Sequence, residues 1–294
     1  MFLRFLLPLA AGVLMAADTP RMTWAQLTAR PRPAGDATIT YGPDAYQKID
    51  VWVPAGEGPH PVVVMVHGGC WQTSIADRTL MNWIAADLRA DGIAVWNIDY
   101  RGVDRPGGGY PGTFDDVGAA TDRLRVEATR FHLDTGRIVA VGHSAGGHLA
   151  LWLAGRPRLP ATSPLRTANP LPIAHVVSLG SLPDLADTAA SPDNGCGTDV
   201  VAKLVGTGRN DPYADTSVPR LLPLRVSQDL VNGREDRIIP YRMALSYANM
   251  ATAAGDRAAL HTVPNTGHVE LVAPGTAAWT ETKRLIRAGL SPHR

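Results

Sequence analysis

Gly142-His143-Ser144-Ala145-Gly146 sets one serine between two glycines, directly after the apolar run "RIVAV". A serine hydroxyl is a weak nucleophile by itself, so the residues around it decide whether it does chemistry. The G-x-S-x-G spacing suits a sharp strand-to-helix turn that lifts the hydroxyl above a sheet edge and leaves the N–H of Ala145 at a helix start. Attack on an acyl carbon also requires a base, a group that orients the base, and donors for the negative oxygen that forms. The stretch "HGGCW", His67 to Trp71, ends an apolar run and frees backbone N–H groups for the last task. His67 itself reads as a brace for that loop. In the order nucleophile, acid, base, the acid follows a late strand and the base lies in a loop after the last one. "NGREDRIIP" supplies Asp236, with Glu235 and Asp229 as alternatives, and "NTGHVEL" supplies His268. Among the 9 histidines, His132 and His148 read as helical and His175 and His261 as strand residues. His143 reads as turned away from the serine beside it. His268, in a short loop behind Gly267, is placed to reach Ser144.

These groups need a frame. "ATITYG" (37–42) and "YQKIDVWVP" (46–54) read as an antiparallel pair after a polar lead-in. "PVVVMVHGG" (61–69), "GIAVWNIDYRG" (92–102), "RIVAVG" (137–142) and "IAHVVSLGS" (173–181) are β-branched runs without a polar face, as doubly covered strands require. "LRVSQDLVNG" (224–233) and "AALHTVP" (258–264) continue the series. Helical periodicity falls between them, over 75–90, between "YPGTFDDV" (110–117) and Leu133, and over 145–155, 241–255 and 276–288. Such alternation predicts an α/β fold with a mostly parallel central sheet flanked by helices. Residues 182–223 break the rhythm with Pro, Asp, Gly and Asn and one short helical piece near 200–205. They read as a loop-rich insertion over the strand ends rather than a second domain.

With these segments in place, "YQKIDVWVP", "HGGCW", "DYRG", "GHSAGGHLALWLA", "GREDRIIP" and "GHVEL" together resemble the α/β-hydrolase superfamily. Within it, the likeness is to the esterase/lipase-like group near the hormone-sensitive-lipase, feruloyl-esterase-like and arylformamidase branches. It extends from about Tyr41 to the C-terminus. The resemblance implies a triad of Ser144, Asp236 and His268, and an oxyanion hole of the N–H groups of Gly69, Cys70 and Ala145. Many relatives read HGGG; the cysteine and tryptophan here are more like the arylformamidase branch, which leaves the substrate class open. The leading expectation is a carboxylic ester hydrolase acting on a small-molecule ester through an acyl-enzyme. Amide hydrolysis, arylformamidase-like or peptidase-like, is the alternative, and a non-catalytic binding protein is the third.

Composition removes other classes. Of 294 residues, 28 Lys+Arg against 27 Asp+Glu leave a net charge of +1, so no nucleic-acid or polybasic membrane surface is indicated. H-E-x-x-H and clustered carboxylates are missing, and the "GGG" at 107–109 does not lead from a strand into a helix. No metal or other cofactor is therefore expected. The first 17 residues, with Arg4 before an apolar run and small residues at 16–17, read as a signal peptide. Residues 18–294 then form one exported domain, secreted or periplasmic and free of the membrane after cleavage. In an oxidising compartment, two cysteines flanking the same site predict a Cys70–Cys196 disulfide.

Overall fold

In the computed structural model, which describes residues 20–291, the chain opens on a short helix, α1 (Trp24–Thr28), where the sequence reads only as a polar lead-in. The antiparallel pair β1 (Ala37–Thr40) and β2 (Lys48–Trp52) follows, then β3 (His60–Val66), α2 (Asn82–Ala90), β4 (Ala94–Ile98), α3 (Gly112–Glu127), β5 (Leu133–His143) and α4 (Ala145–Gly155). The second half carries β6 (His175–Leu179), α5 (Leu185–Ala190), α6 (Asp199–Val205), β7 (Ser227–Gly233), α7 (Tyr241–Ala253), β8 (Ala258–Val263) and α8 (Ala277–Leu290). The expected signal segment, 1–17, lies outside the described residues. None of the described helices is long and apolar enough to cross a membrane.

All eight strands join one sheet in the order β1-β2-β4-β3-β5-β6-β7-β8. β1/β2 and β2/β4 run antiparallel; every later pairing is parallel. The apolar runs explain this layout. Along β3, Val62, Val64 and Val66 enter one core with Phe114, Leu124, Leu149 and Tyr247, while Val63 and Met65 enter the other with Trp83, Leu88, Trp279 and Ile286. Successive side chains of a strand point to opposite faces, so a central parallel strand has no polar face. Helices α3, α4 and α7 cover the first face; α2 and α8 cover the second. Every residue of α4 is buried.

Local readings differ from the structure in three places. The periodic stretch 75–90 becomes helical only from Arg78, first as a 3-10 turn (Arg78–Met81). Ile75 and Ala76 instead line a cavity, and Arg78 turns inward to Asp50 (2.8 Å) and Asp99 (2.9 Å). His132 lies not in a helix but in the turn after α3, at φ 52°, where its carbonyl accepts the His60 N–H at 2.7 Å. The 182–223 stretch contains α5 as well as α6, and a further 3-10 turn (Val218–Leu221).

Candidate active site

The β5–α4 junction is as tight as G-x-S-x-G requires. A Cβ at Gly142 would lie 2.0 Å from the Gly146 carbonyl oxygen, and one at Gly146 would lie 2.2 Å from that of Val66. Neither approach tolerates a side chain, so α4 can start this close to β5 and to the end of β3 only with glycine at both positions. Between them Ser144 adopts φ 55°, ψ −123°, a conformation that costs a non-glycine residue on the order of 1–3 kcal/mol. Its N–H donates to the Leu179 carbonyl at 2.7 Å, and its own carbonyl accepts from the Gly147 N–H at 2.9 Å. Ala145, the first residue of α4, has no intrahelical acceptor for its N–H.

Ser144 and His268 line one cavity of about 340 Å³. His268 lies in the loop after β8, and its Nδ1 is 2.7 Å from Asp236 Oδ2, beyond the end of β7. A carboxylate only accepts, so Nδ1 carries a proton, and in the neutral ring Nε2 is the acceptor. The other Asp236 oxygen accepts the N–H groups of Ile238 (2.8 Å) and Ile239 (2.9 Å), which fixes the carboxylate in a fully buried position.

The two other candidate acids are occupied elsewhere. Asp229, in β7, faces His175 Nε2 at 3.0 Å and His261 Nε2 at 2.8 Å. Burial acts to raise its pKa, but the two imidazoles outweigh that and hold it well below the usual carboxylate range. Glu235 accepts the Thr266 N–H at 3.0 Å and serves the loop backbone.

Gly69 and Cys70 line the same cavity as Ser144. Three successive residues, Gly69 (φ 101°), Cys70 (φ 51°) and Trp71 (φ 56°), curl the backbone after β3. Successive N–H groups in such turns converge on a concavity that suits an anion. Two of the three have side chains, so surrounding contacts must hold the curl. Trp71 is buried, its Nε1–H donates to His148 Nδ1 at 3.3 Å, and its carbonyl accepts the Val103 N–H at 2.7 Å. His148 in turn donates from Nε2 to the Thr216 carbonyl at 2.8 Å, and burial lowers its pKa to about 4, which keeps it neutral. Cys70 is bonded to Cys196, with 5.2 Å between their Cα atoms, across a separation of 126 residues. Next to it, Gly195 lines the cavity, and its N–H donates to the Ile238 carbonyl at 2.7 Å. The 182–223 segment is thereby tied both to the Gly69–Cys70 turn and to the loop of Asp236.

Two cavity residues escape a reading of the sequence. His143 does not turn away: it lines the cavity, its ring centroid is 4.4 Å from that of His268, and its Nε2–H donates to the His268 carbonyl at 3.2 Å. Burial drives its pKa well below the ordinary value, so it is neutral. Trp24 of α1 packs its ring edgewise to both, at 6.0 Å from His143 and 6.4 Å from His268. Only the opening Thr23-x-x-Gln26 pattern, a capping box, marks that helix in the sequence.

Among known proteins, the BD-FAE family matches residues 49–248, which run from β2 through the nucleophile turn and Asp236 into α7. The chain belongs to the BD-FAE family. It is esterase/lipase-like, with the α/β-hydrolase fold. The pig (Sus scrofa) acylamino-acid-releasing enzyme is 27% identical over 71% of this chain and 28% of its own length. Esterase LipI of Mycobacterium tuberculosis is 32% identical over 48% of this chain and 43% of its own. The chain therefore spans less than half the length of these curated relatives. Esterase B of Lactobacillus rhamnosis superimposes with a TM-score of 0.71 at 19% identity, covering 90% of this chain and 92% of the other.

Proposed function

We propose that the protein is a serine hydrolase of small-molecule carboxylic esters, with Ser144, His268 and Asp236 as its catalytic triad. One observation carries the reading: His268 is bound through Nδ1 to buried Asp236 and shares a cavity with Ser144. Nε2 of His268 takes the Ser144 proton as Oγ attacks the acyl carbon. The carbonyl oxygen becomes an oxyanion held by the N–H groups of Gly69, Cys70 and Ala145. Each such donor contributes on the order of 100- to 1000-fold in rate. Collapse breaks the bond to the alcohol, which leaves with the proton from His268. Water then adds to the acyl-enzyme with His268 again as base, and the acid is released. Asp236 holds the imidazole in the right tautomer and stabilises the imidazolium. The esterases among the relatives and structural neighbours support this chemistry.

An amide substrate is the second reading, favoured by the match to the acylamino-acid-releasing enzyme. Rates on p-nitrophenyl esters, N-formylkynurenine and an N-acylated amino-acid amide decide between the two. In either case a serine-directed phosphonate labels Ser144, and Ser144→Ala abolishes both label and turnover while the far-UV CD spectrum stays unchanged. Turnover above a few per cent of wild type in that variant overturns the assignment.

The reading includes the setting. Residues 18–294 act as one catalytic domain, exported after removal of 1–17, with 182–223 as the insertion at the site's rim. The Cys70–Cys196 bond supports an oxidising compartment.

A further inference from the structure

Among the described residues, no Lys, Arg, Asp or Glu lines the cavity beside Ser144. Its walls are Trp24, Ile75, Ala76, Leu80 and Ile238, with neutral His143 among them. Ile75, 59% exposed, carries this apolar lining out to the rim. Burying a charged group here would cost several kcal/mol without compensation. The lining therefore suits a neutral, apolar group.

The wall on the His268 side belongs to a segment far away in sequence. Trp24 and Thr28 both line the cavity, and their spacing of one helical turn puts them on the same face of α1. A five-residue helix has little stability of its own, so tertiary contacts must hold this face in place. Leu27, on another face, is fully buried in the core beside Met81 and Trp83. Glu270 ties the segment to the His268 loop: one oxygen accepts the Met22 N–H at 2.5 Å, the other the Gly267 N–H at 3.0 Å. Arg30 Nη1 donates to the Pro274 carbonyl at 3.3 Å. Anchored on both sides, the Trp24 ring is held edgewise to His143 and His268.

We infer that the Trp24–Thr28 face of α1 is a specificity-determining wall, which limits the length of the neutral alkyl or aryl arm of the ester that enters the cavity. The inference rests on the ester reading above. Trp24 touches the ring of His268 but has no group that moves a proton, so its effect falls on which substrate fits rather than on the chemical step. Removing the indole opens the wall toward α1; adding bulk at position 28 closes it.

The test compares p-nitrophenyl acetate with p-nitrophenyl octanoate, and ethyl with octyl acetate, in wild type, Trp24→Ala, Trp24→Phe and Thr28→Trp. In one of the two series, Trp24→Ala raises the long-to-short ratio of kcat/KM by roughly tenfold, the scale set by a few methylenes in an apolar pocket. Thr28→Trp lowers it, and Trp24→Phe lies between wild type and Ala. If Trp24→Ala depresses long and short esters by the same factor, or leaves both ratios unchanged, Trp24 is scaffold and the inference falls. Should Trp24→Ala not fold, the ordering of Trp24→Phe and Thr28→Trp decides alone. Ligand-observed NMR of methyl ethyl ketone and methyl octyl ketone reads the same wall without turnover, on Ser144→Ala with and without Trp24→Ala. Preference for the longer ketone rises about fivefold or more with the indole gone; an unchanged preference overturns the wall. A shifted ketone preference in a protein that hydrolyses no ester retains the wall and discards the ester reading.

Discussion

His268 and His67 each pair with a buried aspartate, at 2.7 Å and 2.9 Å, and each occupies a loop at the strand ends. Their second nitrogens separate them. His67 Nδ1 faces the Gly68 carbonyl at 2.7 Å while Nε2 faces Asp99, so both ring nitrogens are engaged. Asp99 also takes the Arg78 guanidinium at 2.9 Å, and Tyr100 stacks on the imidazole at 4.3 Å and donates its hydroxyl to the His67 carbonyl. Among the described residues His268 Nε2 has no hydrogen bond, and its ring borders the cavity. A carboxylate partner does not make a histidine a base. A ring nitrogen left free to accept does, and His67 has none to spare, so it braces the turn that carries Gly69 and Cys70.

The sharpest test of that contrast exchanges one oxygen in each pair. Asp236→Asn offers an amide that can donate to Nδ1 and so favours the wrong tautomer; kcat falls on the order of 10⁴-fold with little change in Tm. Equal activity in wild type and variant breaks the assignment of His268 as base.

Next in size is the covalent link between the two loops, since Cys70 follows the His67 turn and Cys196 neighbours the Gly195–Ile238 contact. Cys70→Ala/Cys196→Ala loses roughly 4–5 kcal/mol of stability in the chain-entropy model, measured by urea unfolding. Reduction of the wild-type bond lowers activity at denaturant concentrations where the far-UV CD spectrum is still native. Activity that declines only together with the CD signal would mean the bond stabilises the fold without shaping the site.

Asp99→Asn, the counterpart of Asp236→Asn, acts on stability instead. It leaves Arg78 with one counter-charge fewer and His67 with an altered partner in a buried place, at a cost of about 3 kcal/mol. Activity per folded molecule remains within a few-fold of wild type, by active-site titration against phosphonate. A loss as large as that of Asp236→Asn would make the two pairs equivalent.

Among the described residues His148 has no carboxylate partner, and it supplies a third case. The folded protein keeps it neutral down to about pH 4, whereas an unfolded chain protonates it near 6.5. Between these values the unfolded state binds more protons, so stability rises with pH, and this contribution is lost as pH falls through the window. It amounts to on the order of 3 kcal/mol or less; buried, neutral His143 adds in the same direction. His148→Gln should flatten part of the slope of Tm against pH between 4 and 6.5. The smallest effect is at Asp229, whose two histidines are both strand residues: Asp229→Asn leaves kcat unchanged within twofold.

The serine turn, the glycine turn after β3 and the sheet were legible because each is local. Ser144 sits in five consecutive residues whose glycines have one steric purpose, and a doubly covered strand shows as an unbroken run such as "PVVVMV". Long helices show through their period; α1 and α5, at 5 and 6 residues, span too few turns to have one. The choice of His268 over the other histidines followed from chain order, and Asp236 preceded Asp229 and Glu235 for the same reason.

Tertiary structure alone decided what those residues face. Asp229 and Asp236 are seven positions apart on one chain segment, yet one meets two strand histidines and the other meets His268. The roles of His143 and Trp24 were equally invisible: a ring that touches His268 from the nucleophile turn, and another from 244 residues upstream of it, need the sheet assembled before they meet. Sequence therefore determined the elements and the local backbone geometry that presents Ser144, since short-range sterics and burial period act along the chain. The fold determined the partners of Asp229, the contacts of His143 and Trp24 and the cavity wall, because these depend on which distant surfaces pack together.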